Sequence, residues 1–300
     1  MVLTRLLGDF PAGRFLEEFY TRLPHSRPGA AKDVTTAPGW ERIRTLLEAP
    51  GADVLLSRQG RLWDGRGIPS FDEARRLHAE GYTITIRGAE RHDPDLRRLA
   101  AEFHADFRAP VNIHVACTPS GGHGFGWHYD VEDVFILQSA GTKEYSLRKN
   151  TVNPWPVLES MPRDLRFEEE GSPVFTCRLE AGDWLYIPAG WWHVAKTELE
   201  SISLAVGLMT PPAVDVLRFL EPELRRSVVW RQRLPVTGAA NSRPTEALLE
   251  DYARLFRDLG RDLAMAMSDP KLARKYLESR SGSPSESTQG GGAWTTSRAP

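Results

Sequence analysis

Two cysteines are few for 300 residues, and Cys117 and Cys177 form neither a Cys-x-x-Cys pair nor the even, closely spaced set of a disulfide-stapled domain. Both lie in β-like stretches and read as small core residues. Long apolar runs are absent as well: nothing approaches the ~20 residues that cross a bilayer, and the opening Met1-Val-Leu-Thr-Arg turns polar too soon for a secretory signal. A cytoplasmic protein with no membrane partner is expected. Charge of one sign is missing too. The formal net charge of -2 gives no general reason to expect nucleic acid or an anionic surface as a partner. No internal repeat is evident. What remains is an ordinary composition, 41% hydrophobic and 26% charged, on a chain long enough for one substantial core and an accessory element.

Periodicity divides the chain. Up to about residue 110 it is mixed. Helical spacing runs over Ala12 to Leu23, Gly39 to Glu48, Phe71 to Glu80 and Asp93 to Phe107, with a turn-rich Pro24 to Pro38 and a short strand, Tyr82 to Ile86. This predicts a helical or mixed segment over 1–110 that packs on a core. From Val111 to Met209 the pattern becomes short β-prone runs broken by Gly, Pro and Asn: Val111 to Thr118, Asp133 to Gln138, Glu144 to Arg148, Val174 to Leu179, Asp183 to Ile187 and Ser201 to Leu208. Six such strands predict a mainly β fold, a double-sheet jelly roll over 111–210 flanked by helices. After Thr210-Pro211-Pro212 helical spacing returns in Val214 to Trp230, Thr245 to Met267 and Pro270 to Ser279. The stripe Leu248, Tyr252, Leu255, Leu259 and Leu263 can cover the barrel or a second copy, so region 211–279 is a candidate dimerisation element. Residues 280–300, rich in Ser and Gly, have little to bury and are expected to be disordered.

One constellation carries chemistry. Side chains on a strand alternate faces, so in His128-Tyr129-Asp130 the histidine and the aspartate project together while Tyr129 points away. The run Asp183 to Ile187 enters a Pro188-Ala-Gly-Trp-Trp turn from which His193 opens the next strand. Two imidazoles and one carboxylate hold a divalent metal and leave positions open. Structural zinc prefers four closed ligands, whereas this set is typical of non-haem Fe(II) oxygenases. The triad points to iron. His25, His78, His92 and His104, among charged helical or loop residues, read as surface or hydrogen-bonded core positions.

The segment from Thr118 through Gly121-Gly122-His123-Gly124-Phe125-Gly126-Trp127-His128 to Gln138, with Gly141-Thr142-Lys143 and Gly182 to His193, closely resembles the JmjC-type, cupin-like Fe(II)/2-oxoglutarate oxygenases, nearest to the ribosomal oxygenase subgroup. A weaker likeness upstream extends it to about the first two-thirds of the chain. The resemblance implies a metal held by His128, Asp130 and His193, and 2-oxoglutarate gripped at its distal carboxylate by Lys143 with help from Ser203 or Ser201. A buried carboxylate needs such a charged, hydrogen-bonding partner. Where the subgroup carries an Asn that touches the cosubstrate near the metal, this chain has His114, and a tyrosine two residues on is replaced by Ala116. His114 either takes over as donor or faces elsewhere. The subgroup also ends in dimerising helices and a winged-helix domain; the helices after Pro212 are expected to serve the first role, with too little chain after them for the second.

The implied activity is hydroxylation of an amino-acid side chain in a protein or peptide, using Fe(II), 2-oxoglutarate and O2. A small-molecule hydroxylase, an N-methyl-lysine demethylase of the same chemistry and a non-catalytic metal-binding cupin sensor remain open alternatives. Trp127, Trp155, Trp184, Trp191 and Trp192 cluster around the motif, and each is expected to fill the core rather than to line a site.

Overall fold

In a computed structural model of the chain, the described residues are 1–34, 39–161, 167–235 and 245–281. The expected tail lies outside them from residue 282. Two units are present, one of Met1–Thr210 and one that begins at Pro211.

The first unit holds α1 (Val2–Leu7), α2 (Ala12–Glu18), β1 (His25–Arg27), α3 (Trp40–Leu47), β2 (Asp53–Arg58), β3 (Arg61–Leu62), α4 (Phe71–Ala79), β4 (Thr83–Arg87) and α5 (Pro94–Phe107). Then come β5 (Val111–Thr118), β6 (Asp133–Ala140), β7 (Lys143–Arg148), β8 (Val174–Leu179), β9 (Trp184–Ile187), β10 (Trp192–Lys196) and β11 (Ser201–Leu208). Local chemistry sets the helix ends. Ser70 caps α4 by accepting from the Glu73 N–H, and Asp93 caps α5 by accepting from Asp95 and Leu96, with Pro94 in the first turn.

The strands form an antiparallel jelly roll. One sheet has eight strands in the order β1-β9-β6-β11-β5-β4-β2-β3, the other three in the order β10-β7-β8. Strand β6 shows why the large sheet sits between two cores. Phe135 and Leu137 face α1, α3, α4 and α5, joining Leu6, Ile43, Leu77, Phe103, Ile113 and Val206. Val134 and Ile136 point the other way, onto Tyr145, Leu147 and Leu179 of the small sheet. A strand buried on both faces reads as a continuous apolar run, and β6 does.

The N-terminal segment does more than pack on this core. β1, β2, β3 and β4 supply four of the eight strands of the large sheet. β1, β2 and β3 were not legible as strands, because three- and two-residue pieces carry no period and β2 mixes Asp, Ser and Arg with its leucines. The second unit holds α6 (Asp215–Leu224), α7 (Val228–Arg231), α8 (Glu246–Met267) and α9 (Pro270–Ser281). The single helix expected over Val214 to Trp230 is therefore two, parted at Arg225 to Ser227 just beyond Pro222.

Candidate metal centre

Along β5 and β11 the inner face of the large sheet, opposite the helices, carries polar groups, while along β6 it is apolar. On β11, Ile202, Leu204 and Val206 belong to the helix-side core, so Ser201, Ser203, Ala205 and Gly207 face inward. Their partners on β5 are Thr118, Ala116, His114 and Asn112. This rung order locates everything else.

His128, Asp130 and His193 converge, each offering a donor atom within 4.8 Å of the others. His128 and His193 form an isolated antiparallel bridge, and the Asp130 carbonyl accepts from Gly190 N–H at 2.7 Å. The expectation that one strand carries both His128 and Asp130 is corrected. Residues 129–132 lie outside any strand, because the only ladder contact here is the bridge to His193, and β6 begins at Asp133. Tyr129 points away as expected, buried edge-to-face against Trp192.

Hydrogen bonds fix both imidazoles for metal binding. Nδ1 of His128 donates to the Gly126 carbonyl at 2.8 Å and Nδ1 of His193 to the Trp191 carbonyl at 3.0 Å, which places each lone pair on Nε2. His193 Nε2 lies 3.5 Å from Asp130 Oδ2, and the other carboxylate oxygen is buried with no protein partner among the described residues. Burial, with His128 nearby, pushes the His193 imidazolium down to about 3, so this ring is neutral. Burial pushes the Asp130 carboxyl up to about 6, with His128 opposing. A buried carboxylate with a bare oxygen beside the neutral His193 ring and the His128 imidazole fits a divalent cation, which replaces the missing hydration.

Deeper in the barrel, Lys143 opens β7. It is buried, and its Nζ lies 3.4 Å from Ser203 Oγ. Among the described residues no carboxylate pairs with it, and burial pushes it down to about 8. A buried ammonium that meets a hydroxyl and the Tyr145 ring but no carboxylate among the described residues fits an incoming anion. Ser201 shares this face but its Oγ makes no hydrogen bond among the described residues, so Ser203 is the serine that reaches Lys143.

His114 faces the same interior, one rung from the Ala116–Ser203 pair and one from Asn112–Gly207. Its Nδ1 accepts from Gly88 N–H at 3.2 Å. The ring therefore carries its proton on Nε2, which is buried without a protein acceptor among the described residues. Burial and then Arg87 push this imidazole down to about 4.

One acid escaped the sequence reading. Glu132 accepts from Asn112 Nδ2, and burial, with Asp130 and Glu90 nearby, pushes it up to about 7. Its spacing from Asp130 was the available signal. Three further histidines have their own partners. His78 bonds Glu200, His104 bonds the Ala109 carbonyl and His25 packs among Phe10, Phe15 and Phe19. The tryptophans separate as well. Trp184, Trp191 and Trp192 are buried and Trp127 is half-buried, but Trp155 is 81% exposed and is not core filler.

Residues 89–216 match the JmjC domain. The chain carries a JmjC domain over this stretch. Over 236 residues it is 34% identical to the bifunctional lysine-specific demethylase and histidyl-hydroxylase NO66 of Dictyostelium discoideum, a match covering 71% of this chain and 45% of that protein. It is 25% identical over 241 residues to the uncharacterized protein YxbC of Bacillus subtilis (strain 168), covering 72% of this chain and 73% of that one. The chain thus spans under half the length of its NO66 relative. Among solved structures, E. coli ycfD is similar at TM-score 0.56 and 18% identity, over 92% of this chain and 73% of that one. The ribosomal oxygenase YcfD from Escherichia coli in complex with cobalt and 2-oxoglutarate gives TM-score 0.52 and 15% identity, over 89% and 70%. At these identities the likeness shows a shared fold.

Proposed function

We propose that this JmjC-domain protein is an Fe(II)- and 2-oxoglutarate-dependent oxygenase that hydroxylates an amino-acid side chain of a protein or peptide. One observation carries the reading: a three-point metal donor set and a buried ammonium with no carboxylate partner among the described residues stand on the inner walls of one barrel. His128, Asp130 and His193 would hold the iron, Lys143 with Ser203 the distal carboxylate of 2-oxoglutarate, and His114 an oxygen between them. With iron, 2-oxoglutarate and O2 bound, the centre would supply oxidising chemistry that turns a C–H into C–OH as 2-oxoglutarate loses CO2 to become succinate. The chain's part is to orient and to exclude water. The Gly126 and Trp191 carbonyls aim the imidazoles, and Val134, Ile136 and Leu147 keep the surroundings apolar.

The names of the relatives support a protein substrate, a histidyl-hydroxylase in one case and a ribosomal oxygenase in another. The NO66 name also carries lysine demethylation. Succinate formation with Fe(II), ascorbate and 2-oxoglutarate, followed by mass analysis of treated cell protein, tests the reading. Peptides gaining 16 Da are expected; formaldehyde release with loss of methyl groups would favour demethylation. Absence of both succinate and iron uptake would refute the proposal.

The unpaired thiols Cys117 and Cys177 are in keeping with a reducing cytoplasm. No helix among the described residues is long and apolar enough to cross a membrane. A homodimer through the C-terminal helices is part of the same proposal, supported by Leu249 and Phe256 exposed on α8. The sedimentation coefficient tests it.

A further inference from the structure

An indole left 81% exposed is unusual, and here it is mounted on a braced loop. Trp155 stands between Pro154 and Pro156 in the connection from β7 to β8. Asn153 N–H donates to Asn150 Oδ1 at 2.7 Å, and Thr151 donates from N and Oγ1 to the buried Glu170 at 2.7 and 2.8 Å. A loose loop would let the ring fold back onto apolar surface; these bonds and the two prolines hold it out.

The mount is tied to the candidate metal centre at two points. Asn153 Nδ2 donates to Tyr129 OH at 3.2 Å, and Tyr129 lies between His128 and Asp130 in the chain. Gly190, whose N–H holds the Asp130 carbonyl, sits so close under the loop that a Cβ there would lie 2.8 Å from the Pro154 carbonyl and from Pro156 Cδ. From Tyr129 an aromatic seam continues through Trp192 and Phe167 to Trp127, which stacks on Phe167 at 4.2 Å.

We infer that Trp155 is an anchor for the polypeptide substrate, gripping residues that flank the oxidised side chain. A small molecule is held in a concavity, which a protruding indole on a proline-flanked turn does not provide. A rigid exposed Trp suits the centre of a protein–protein contact. Its two ties, to Tyr129 and to Gly190, join that contact to the two segments that carry the metal donors, although Tyr129 itself points away from them. The inference rests on the oxygenase reading above.

The test uses the full chain with Fe(II), ascorbate, 2-oxoglutarate and total cell protein, ribosomes included, and follows the rate of each +16 Da product against protein concentration. Trp155→Ala should raise KM for the modified polypeptide about tenfold or more with kcat little changed. Trp155→Phe should recover most of the loss. Leu199→Ala, which truncates another exposed apolar residue between β10 and β11, is the control and should leave KM alone. A KM within twofold of wild type for Trp155→Ala overturns the inference, as does a wild type that forms succinate yet oxidises no polypeptide. A Trp155→Ala variant that sediments as a smaller species with unchanged KM would make this a self-association surface and overturn it too. A wild type that forms no succinate and takes up no iron would instead sink the oxygenase reading.

Discussion

His128 and His193 hold one another by their backbones: His128 N–H donates to the His193 carbonyl at 3.1 Å, and His193 N–H to the His128 carbonyl at 2.7 Å. The bridge does not involve the imidazoles, so the two donor positions are set before any metal arrives. Replacing either ring should therefore leave the frame standing.

His193→Ala and His128→Ala are expected to fold with a Tm within a few degrees of wild type without metal. A group that binds only the native state raises Tm by an amount that grows with the logarithm of its affinity. Wild type should gain stability on adding Fe(II) or Co(II) under anaerobic conditions, and each variant should lose most of that gain. Differential scanning fluorimetry with and without metal reads both effects. An undiminished metal-induced shift in either variant would remove that histidine from the centre.

Asp130 should reveal a conflict between stability and binding. Its carboxyl is pushed up to about 6 by burial, so holding it ionised at pH 7 costs the metal-free fold up to about 3 kcal/mol. Asp130→Asn removes that charge at nearly constant volume. The metal-free variant is expected to match or exceed wild type in urea denaturation, while its metal-induced Tm shift disappears. A large loss of metal-free stability would mean that the carboxylate has a structural role.

What the sequence disclosed and what it concealed follow from range. His128, Asp130 and His193 stood out because His-x-Asp and a histidine just after a Pro/Gly turn are short local patterns, although the strand assumed to carry the first two is absent; Lys143 stood out only through the resemblance of Gly141-Thr142-Lys143 to the family's motif. The fold class followed from six strand-like runs. The joining of β1 to β9 and β2 to β4 was not legible, since it depends on pairings between distant segments whose own sequences are short and polar. The state of His114 was hidden for the same reason: its proton is placed by Gly88, on the turn after the neighbouring strand. Trp155 misled because composition cannot tell a buried indole from one held out by Asn150, Asn153 and Glu170.

Lys143 predicts how anion binding varies with pH. In the free protein it is charged below about pH 8, so affinity for 2-oxoglutarate should be flat there. Above that pH the lysine must regain a proton to bind, and affinity should weaken by up to about tenfold per unit. Calorimetric titration over roughly pH 6.5 to 9.5 should show this break, and Lys143→Ala should bind weakly and without it. Stability moves oppositely. The folded value lies below the ordinary 10.5, so burial of the charge penalises the ligand-free fold fully below about pH 8. That penalty, about 3 kcal/mol, is relieved between pH 8 and 10.5.

His114 should matter as a neutral donor. Its folded value of about 4 lies below the ordinary 6.5, so its contribution to stability is complete above about pH 6.5 and is lost as pH falls towards 4. His114→Leu should reduce that acid sensitivity in a pH series of urea midpoints. The same variant removes the Nε2–H aimed into the barrel and should weaken 2-oxoglutarate binding by about tenfold, the worth of one hydrogen bond to a charged group. His114→Asn, which restores a donor, should recover part of it. Equal affinity in wild type and His114→Leu would show that Nε2 meets no cosubstrate oxygen.

Gly190 joins the loop and the metal centre, and its replacement should separate them. Its φ of +80° is a conformation that side chains rarely adopt, and an added Cβ would lie 2.8 Å from the Pro154 carbonyl and from Pro156 Cδ. Gly190→Ala must shift the turn, the loop or both, at a cost of about 1 to 3 kcal/mol. Because the Gly190 N–H holds the Asp130 carbonyl, a shifted turn also moves the carboxylate. Metal affinity should therefore fall by more than the stability loss alone requires, with the d–d spectrum of bound Co(II) altered in shape as well as intensity. An unaltered Co(II) spectrum in a destabilised Gly190→Ala protein would show that the loop yields and the turn does not, leaving Asp130 held independently of Gly190.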